Sequence, residues 1–430
     1  MIFKNSAILA FFSILSVILG IFRDRLLAIN VGIGPTLDVY NAAFRVPDLF
    51  YGMFLAFITA GTVIPFLTKE NKEGVIDYRE SEKKFSSLMF FFSFFMVLLI
   101  IVVGITVPYF AHLIVPGFED YQVDQFIFAT RILMIQPLFL GLSSLLSCLA
   151  QLRNDFVFYG MAPLGYSLGI ILGIVFFYKK FGIGGLVLGV IVGAFMSLLI
   201  QAMSLRGHKL IISRQHFHIN HIKELLHFAI PRTGTNIVSQ LRVIFFTAFA
   251  TTLGPGVLSS FLFAQRITDA ASQIISQSVT TASLPVLSKE YVENRIKEHE
   301  RLVYKYTFLL FFIAVICSVT IFLFKDLIIY LLYGDNEANA VIATLLFGFV
   351  LALPFSMMSQ YLVVGFYSMK RTGKVFFSNL IATIICIATC LYFRNLGMIS
   401  LIYGISIYYI SSFSIYFFMY LNKRIIKNTP

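Results

Sequence analysis

The sequence predicts an all-α polytopic membrane protein of twelve spans, built as two parallel six-helix lobes. Three observations predict it. Apolar runs of about 20 residues recur along all 430 residues, lysine and arginine crowd alternate connections, and a motif near the start returns about 220 residues later.

Hydrophobic residues make up 58% of the chain and charged residues 13%, against roughly 25% charged in soluble domains. Each run is near the ~20 residues that cross a bilayer, and together they exceed what one water-soluble core would bury. Runs and breakers place helices at 6–30, 38–67, 85–109, 125–150, 157–178 and 184–205. A second set follows at 225–252, 257–287, 304–326, 339–367, 375–393 and 398–421. The first run follows Lys4 as a secretion signal would. No small-x-small cleavage site follows, and the run passes into Arg23-Asp24-Arg25, so it reads as a retained span. Cys148, Cys317, Cys386 and Cys390 all lie inside spans, which argues for packing and against a disulfide framework.

With both termini in the cytoplasm, inner segments carry 22 of the 33 Lys and Arg, and outer loops only Lys179, Lys180, Lys325 and Arg394. This positive-inside bias sets the orientation. It also accounts for most of the net charge of +12, so nucleic-acid binding is not needed to explain it.

Residues 43–70 read AFRVPDLF…VIPFLTKE and residues 264–290 read AQRITDAA…SLPVLSKE. Both copies carry Arg-x-x-Asp (Arg45/Asp48, Arg266/Asp269), then Pro65 or Pro285, then Lys69-Glu70 or Lys289-Glu290. Gly34-Pro35 and Gly254-Pro255 precede them at an offset of 220, and Pro137 and Pro354 pair at 217. An even number of helices per copy makes the repeats parallel about an axis along the membrane normal. The lobes are therefore expected at 1–215 and 216–430. The linker 206–227 holds five of the seven histidines, among them His216, His218 and His221, and reads as a solvated connection, with metal binding as the alternative.

Charges inside spans mark a polar interior, because each costs about 2.5–3.5 kcal/mol at a helix centre. Seven arginines lie there: Arg23, Arg25, Arg45, Arg131, Arg232, Arg242 and Arg266. The acids joining them are Asp24, Asp38, Asp48 and Asp269. Arginine holds a diphosphate bidentately and never loses its charge. Arg45 and Arg266 hold equivalent repeat positions. Each either faces a shared anion or pairs with its own Asp three residues on. Arg23 and Arg25 either face the cavity or snorkel to the interface. Asp38 is a gate partner for Arg45 or a helix start. For Arg131, Arg232 and Arg242, steering of substrate and packing within a lobe are both open. Pro47, Gly52, Gly61 and Pro65 interrupt a second helix that would be about 45 Å long if straight, and Pro137, Pro231 and Pro354 offer similar bends. Gly182, Gly185, Gly189 and Gly193 are spaced for close helix packing.

Ser16-Val17-Ile18-Leu19-Gly20-Ile21-Phe22-Arg23-Asp24, then VGIGP (31–35), Asp38 and AAFRVPDLF (42–50), resemble the N-terminal signature of the MurJ/MviN family of lipid II flippases. APLGYSLGIILG (162–173), the glycine ladder with Gln201, and Arg266 with LPVLSKE (284–290) extend the resemblance over about residues 13–290. It implies a MATE/MurJ-like fold with two bundles around a central cavity. It also implies transport of undecaprenyl-diphosphate-linked peptidoglycan precursor to the outer leaflet of the bacterial inner membrane, with no cofactor and no metal. Substrate binding falls to Arg23, Arg45 and Arg266, and supporting or gating roles to Asp24, Arg25, Asp38, Asp48 and Asp269. Membrane lipids and cell-wall synthesis proteins are the partners such a role implies.

The sequence departs from the family in three respects. Family members typically have fourteen helices and a tail groove built by the last pair, against twelve spans here. An Arg-Arg pair and a Glu-Gly of the family read Tyr51-Gly52 and Phe57-Ile58. The sodium-binding carboxylates of some relatives have no counterpart in spans seven and eleven. A flippase for another lipid-linked oligosaccharide, of O-antigen or exopolysaccharide type, shares the fold and the diphosphate. A MATE-type antiporter needs a buried adjustable acid, and Asp24 sits beside two arginines. An intramembrane enzyme is disfavoured, since the spans hold no nucleophile–base pair or metal-ligand cluster.

Overall fold

The computed structural model describes residues 2–58, 63, 78–152, 155–205 and 219–422, and among these there is no strand. Gly61, Pro65, Lys69, Glu70, Arg153, His216 and His218 lie outside the described residues, and Phe57, Ile58, His221, Pro231 and Arg232 are described in backbone only. Each of the twelve apolar runs falls mainly on helix where it is described, with interruptions at Phe44, at Met134 and Ile135, and at Phe324. Eight helices are long and apolar enough to cross a membrane among the described residues. By contacts the chain divides into two units, Met1–Gln240 and Leu241–Pro430.

The first unit begins with α1 (Ile2–Asn30), followed by α2 (Pro35–Ala43) and α3 (Arg45–Ile58). Gly32, at φ +82°, makes the turn that the VGIGP motif demands, and Pro35 opens α2, where a missing N–H costs nothing. The expected single helix over 38–67 is broken at Phe44. Pro47 explains the break, because its ring crowds the carbonyl four residues back, that of Ala43. After α4 (Tyr78–Ile114), the same effect splits the expected 125–150 helix into α5 (Asp120–Leu133) and α6 (Gln136–Leu152), with Pro137 four residues past Leu133. A core of Val63, Phe85, Leu88, Met89, Phe92, Met96, Leu145, Leu146 and Cys148 fills the space among these helices.

Pro108 lies inside α4 and leaves the carbonyl of Gly104 without its helical donor. Arg131 supplies one: its Nε donates to the Gly104 oxygen at 2.8 Å. A charged donor to such a carbonyl is worth about 1.5–3 kcal/mol. Arg131→Met is therefore expected to lower the unfolding midpoint of the purified protein in detergent. The same change on a Pro108→Ala background, where residue 108 regains its N–H, will cost little. Equal losses on both backgrounds would contradict this role.

Helix α7 (Phe156–Leu172) continues through a π-helical turn, Gly173–Phe177, and a last turn, Tyr178–Phe181, to Gly182 at φ +54°. The chain then reverses into α8 (Ile183–Ala202). The two helices meet backbone to backbone, Gly169 and Gly173 facing Gly185, Gly189 and Gly193, with Gly165 against Met196, Ser197 and Ile200. A Cβ built on Gly173 would stand 2.6 Å from the Gly189 Cα. Cβ atoms on Gly185 and Gly193 would strike the backbone oxygens of Phe177 and Tyr166.

The chain enters the second unit within α9 (Ile219–Thr251). Then come α10 (Val257–Val292), α11 (Ile296–Leu323), α12 (Lys325–Tyr333), α13 (Asn339–Ser368), α14 (Thr372–Tyr392) and α15 (Met398–Leu421). The short α12 lies almost wholly beyond the expected 304–326 span, in what reads from the sequence as a connection; it starts after a break at Phe324. Helix α13 packs against α10, α11 and α15. Its Pro354 bends no break into it, unlike the repeat-related Pro137. The carbonyl that Pro354 deprives, that of Val350, accepts instead from the Ser318 hydroxyl at 2.9 Å.

Buried His299 ties three helix ends together. Ser368 donates its hydroxyl proton to the Gly365 carbonyl at 2.7 Å. The 2.8 Å contact between His299 Nε2 and Ser368 Oγ is thus donated by the ring, and Tyr420 donates to Nδ1 at 2.9 Å. Both ring nitrogens are satisfied, so His299 is a packing residue of this unit.

Candidate functional site

In the first unit the polar residues of α1, α2, α3 and α7 collect in one neighbourhood. Arg23 directs Nε and Nη2 at a single oxygen of Asp24, each at 3.0 Å. The pair is largely inside the protein, with side chains 20% and 10% exposed. A guanidinium cannot shed its charge, so enclosing it requires an anion beside it, and Asp24 is that anion here. The hydroxyls of Tyr40 on α2 and Tyr166 on α7 are its other electrostatic neighbours. Arg25 projects from α1 into an exposed position, so the two arginines of the Arg-Asp-Arg triplet serve different surroundings.

Asp38 is buried in the first turn of α2, where a carboxylate is favoured by the helix dipole. Arg45 is the first residue of α3 and Asp48 stands one turn on. That spacing allows an ion pair, and Arg45 is the attractive charge acting on Asp48. Asp48 also has Tyr51 and Tyr166 as neighbours. Tyr51 shares a hydrogen bond with Ser144 Oγ at 3.1 Å. The sequence marks Tyr51 only as a departure from the family and gives Tyr40 and Tyr166 no role of their own. Their only signal was position, since Tyr166 lies within APLGYSLG and Tyr40 and Tyr51 flank FRVPD.

In the second unit the repeat copy looks different, for a reason written in its sequence. Pro47 of the first copy is Thr268 in the second, so α10 runs unbroken through Arg266 and Asp269. Thr268 returns its hydroxyl proton to the Gln265 carbonyl at 2.9 Å. The Arg266 guanidinium lies 5.5 Å from the Phe263 ring centre. That ring is fixed by stacking on Tyr333 at 4.3 Å and by the Tyr333 hydroxyl, which donates to the Phe263 carbonyl at 2.9 Å. Asp269 is exposed, with Gln265 as a hydrogen-bonding neighbour and Arg266 as the attractive charge beside it. Of the arginines left open by the sequence, Arg131 is structural, and Arg242 stands 3.7 Å over the Tyr408 ring.

Solved structures share this fold. A lipid II flippase MurJ in an inward closed conformation superposes with a TM-score of 0.82 at 21% identity, over 98% of this chain and 88% of that one. An inward-facing multidrug resistance MATE family transporter of the MOP superfamily superposes at 0.78 and 17% identity, over 96% of each chain. Among curated relatives, the probable lipid II flippase MurJ of Buchnera aphidicola subsp. Baizongia pistaciae is 29% identical, covering 86% of this chain and 74% of that protein. That of Rhizobium tropici is 27% identical, over 83% and 68%. The lipid II flippase MurJ of Burkholderia cenocepacia is 25% identical, over 86% and 75%. The family model for lipid II flippase MurJ matches residues 27–429. This multi-pass membrane protein belongs to the lipid II flippase MurJ family.

Proposed function

We propose that this chain is a flippase, not an enzyme, that carries an undecaprenyl-diphosphate-linked peptidoglycan precursor across the bacterial inner membrane by alternating access. The family match over residues 27–429 carries the reading. In this account both termini are cytoplasmic and the lobes 1–215 and 216–430 are the moving parts. Arg23, Arg45 and Arg266 hold the diphosphate. Asp24, Arg25, Asp38, Asp48 and Asp269 position them or gate access, and cell-wall synthesis proteins are the neighbours in the membrane. Asp24 occupies one oxygen's worth of the Arg23 fork, at 3.0 Å from both nitrogens. Phosphate oxygens compete for the same donors, which makes the pair a place where substrate displaces an internal counter-ion.

Expression in a bacterial cell depleted of its own lipid II flippase tests the reading. Restored growth and shape are the expected result. A well-expressed chain that fails there but restores export of another lipid-linked oligosaccharide would move the function to that substrate. The departures at Tyr51-Gly52 favour keeping this outcome in the design.

Transport in this account follows the membrane potential. Each negative charge moved outward against an inside-negative 100 mV gains about 2.3 kcal/mol, so a diphosphate with two charges gains about 4.6 kcal/mol. Flipping measured in vesicles will slow when the potential is collapsed with the pH gradient kept. An unchanged rate would instead argue for a coupled ion.

A further inference from the structure

The second unit encloses a cation that the transport reading does not use. Arg242 on α9 stacks its guanidinium 3.7 Å over the Tyr408 ring, and its Nη1 is buried with no hydrogen-bond acceptor among the described residues. Besides Tyr408, the ionisable side chains acting on it among the described residues are Tyr409, Cys386 and Tyr416, hydroxyls and a thiol. Arginine cannot deprotonate to escape such a place. The aromatic face offsets part of the charge, and the rest calls for an anion.

Beside the guanidinium lies a cavity of about 40 Å³, lined by Arg242, Thr247, Gln265 and Tyr409 and walled by rings such as Phe246 and Phe349. Neighbouring hydroxyls have spent their protons: Thr247 donates to the Val243 carbonyl at 3.0 Å and Tyr408 to Asn379 Oδ1 at 2.8 Å. Arg242 Nη1 is thus a buried donor without an acceptor among the described residues, beside this space. A water needs roughly 10–15 Å³ of such volume, so the cavity takes a few water-sized groups. A monatomic anion fits, whereas a diphosphate with its two phosphoryl groups does not.

We propose that the Arg242 cavity is a binding site for one small monovalent anion, chloride in the cell, which serves as the internal counter-charge of the C-terminal lobe. It is separate from the residues assigned to the transported diphosphate, and it stands whether or not that assignment does.

The test uses the purified full-length protein in detergent without added lipid substrate. Thermal unfolding is followed in sodium chloride, sodium bromide and sodium gluconate at matched ionic strength. A saturable rise of about 2 °C in chloride and bromide over gluconate is expected for a site filled at about ten times its Kd. Arg242→Gln will remove that rise. A structure solved from bromide-soaked crystals will place an anomalous peak in contact with Arg242 Nη1, a readout that needs no variant to fold. Equal midpoints in all three salts with no peak at Arg242 would overturn the proposal. So would a halide effect that survives Arg242→Gln, or, in a parallel titration with undecaprenyl diphosphate, stabilisation by that lipid and none by halide. The last outcome would assign the guanidinium to substrate and leave the flippase reading intact.

Discussion

Arg45→Ala and Arg266→Ala will each cut flipping by about 100-fold or more while the protein still reaches the membrane at wild-type amounts. The magnitude follows from losing one partner of an enclosed charged contact, about 2–5 kcal/mol. Lysine at either place will keep part of the activity, because an ammonium preserves the charge but loses the planar fork. The competing role for these arginines is to neutralise Asp48 and Asp269 on the same helices. In that case Arg45→Ala with Asp48→Asn, and Arg266→Ala with Asp269→Asn, would recover activity. Each acid does have its arginine as a charged neighbour, yet the account predicts no recovery, because the carried anion still lacks its donor in the doubles. A double-mutant cycle on flipping rate, normalised to membrane protein, separates the two roles. Recovery in the doubles would make the arginines structural.

Leucine at Gly189 or Gly193 will unfold the α7–α8 pair. A Cβ at Gly193 meets the backbone of Tyr166, and one at Gly189 meets the backbone of Gly173. Backbone cannot rotate aside as a side chain can, so the helices must part and forfeit their mutual contact. Overpacking commonly costs 1–3 kcal/mol, and with backbone on both sides the loss is expected at about 3 kcal/mol or above. Gly20→Ala is the control, because nothing lies within 4 Å of a Cβ there. Unfolding midpoints in detergent, with membrane yields, give the comparison. A Gly193→Leu protein as stable as wild type would show that the close crossing is not needed.

The sequence was most legible where one physical signal dominates. Apolar runs located the helices because only helix satisfies every backbone group in lipid. The spacing of Gly182, Gly185, Gly189 and Gly193 announced a close crossing, though its partners on α7, Gly169 and Gly173, needed the fold to be recognised. Prolines were legible as breakers but not in outcome. Pro137 splits its helix while Pro354 does not, and the difference is Ser318, a residue 36 positions earlier that answers the orphaned Val350 carbonyl. Arg131 was ambiguous for the same reason, since its acceptor is set by Pro108 on another helix. The tyrosines around Arg23 and Asp48 were illegible because burial gives a tyrosine no local mark, and which hydroxyls face a charge is decided by packing alone.

The most direct measurement of the central claim is leaflet exposure of the lipid-linked precursor in cells whose own flippase has been switched off. An added enzyme that cleaves only outer-leaflet precursor reports exposure, and the released headgroup is identified by mass. With this chain expressed, the account predicts that precursor becomes cleavable and carries its headgroup chemically unaltered. Chains with Arg45→Ala or Arg266→Ala will leave it protected. Precursor that stays inaccessible despite abundant protein, or emerges chemically altered, would contradict the account.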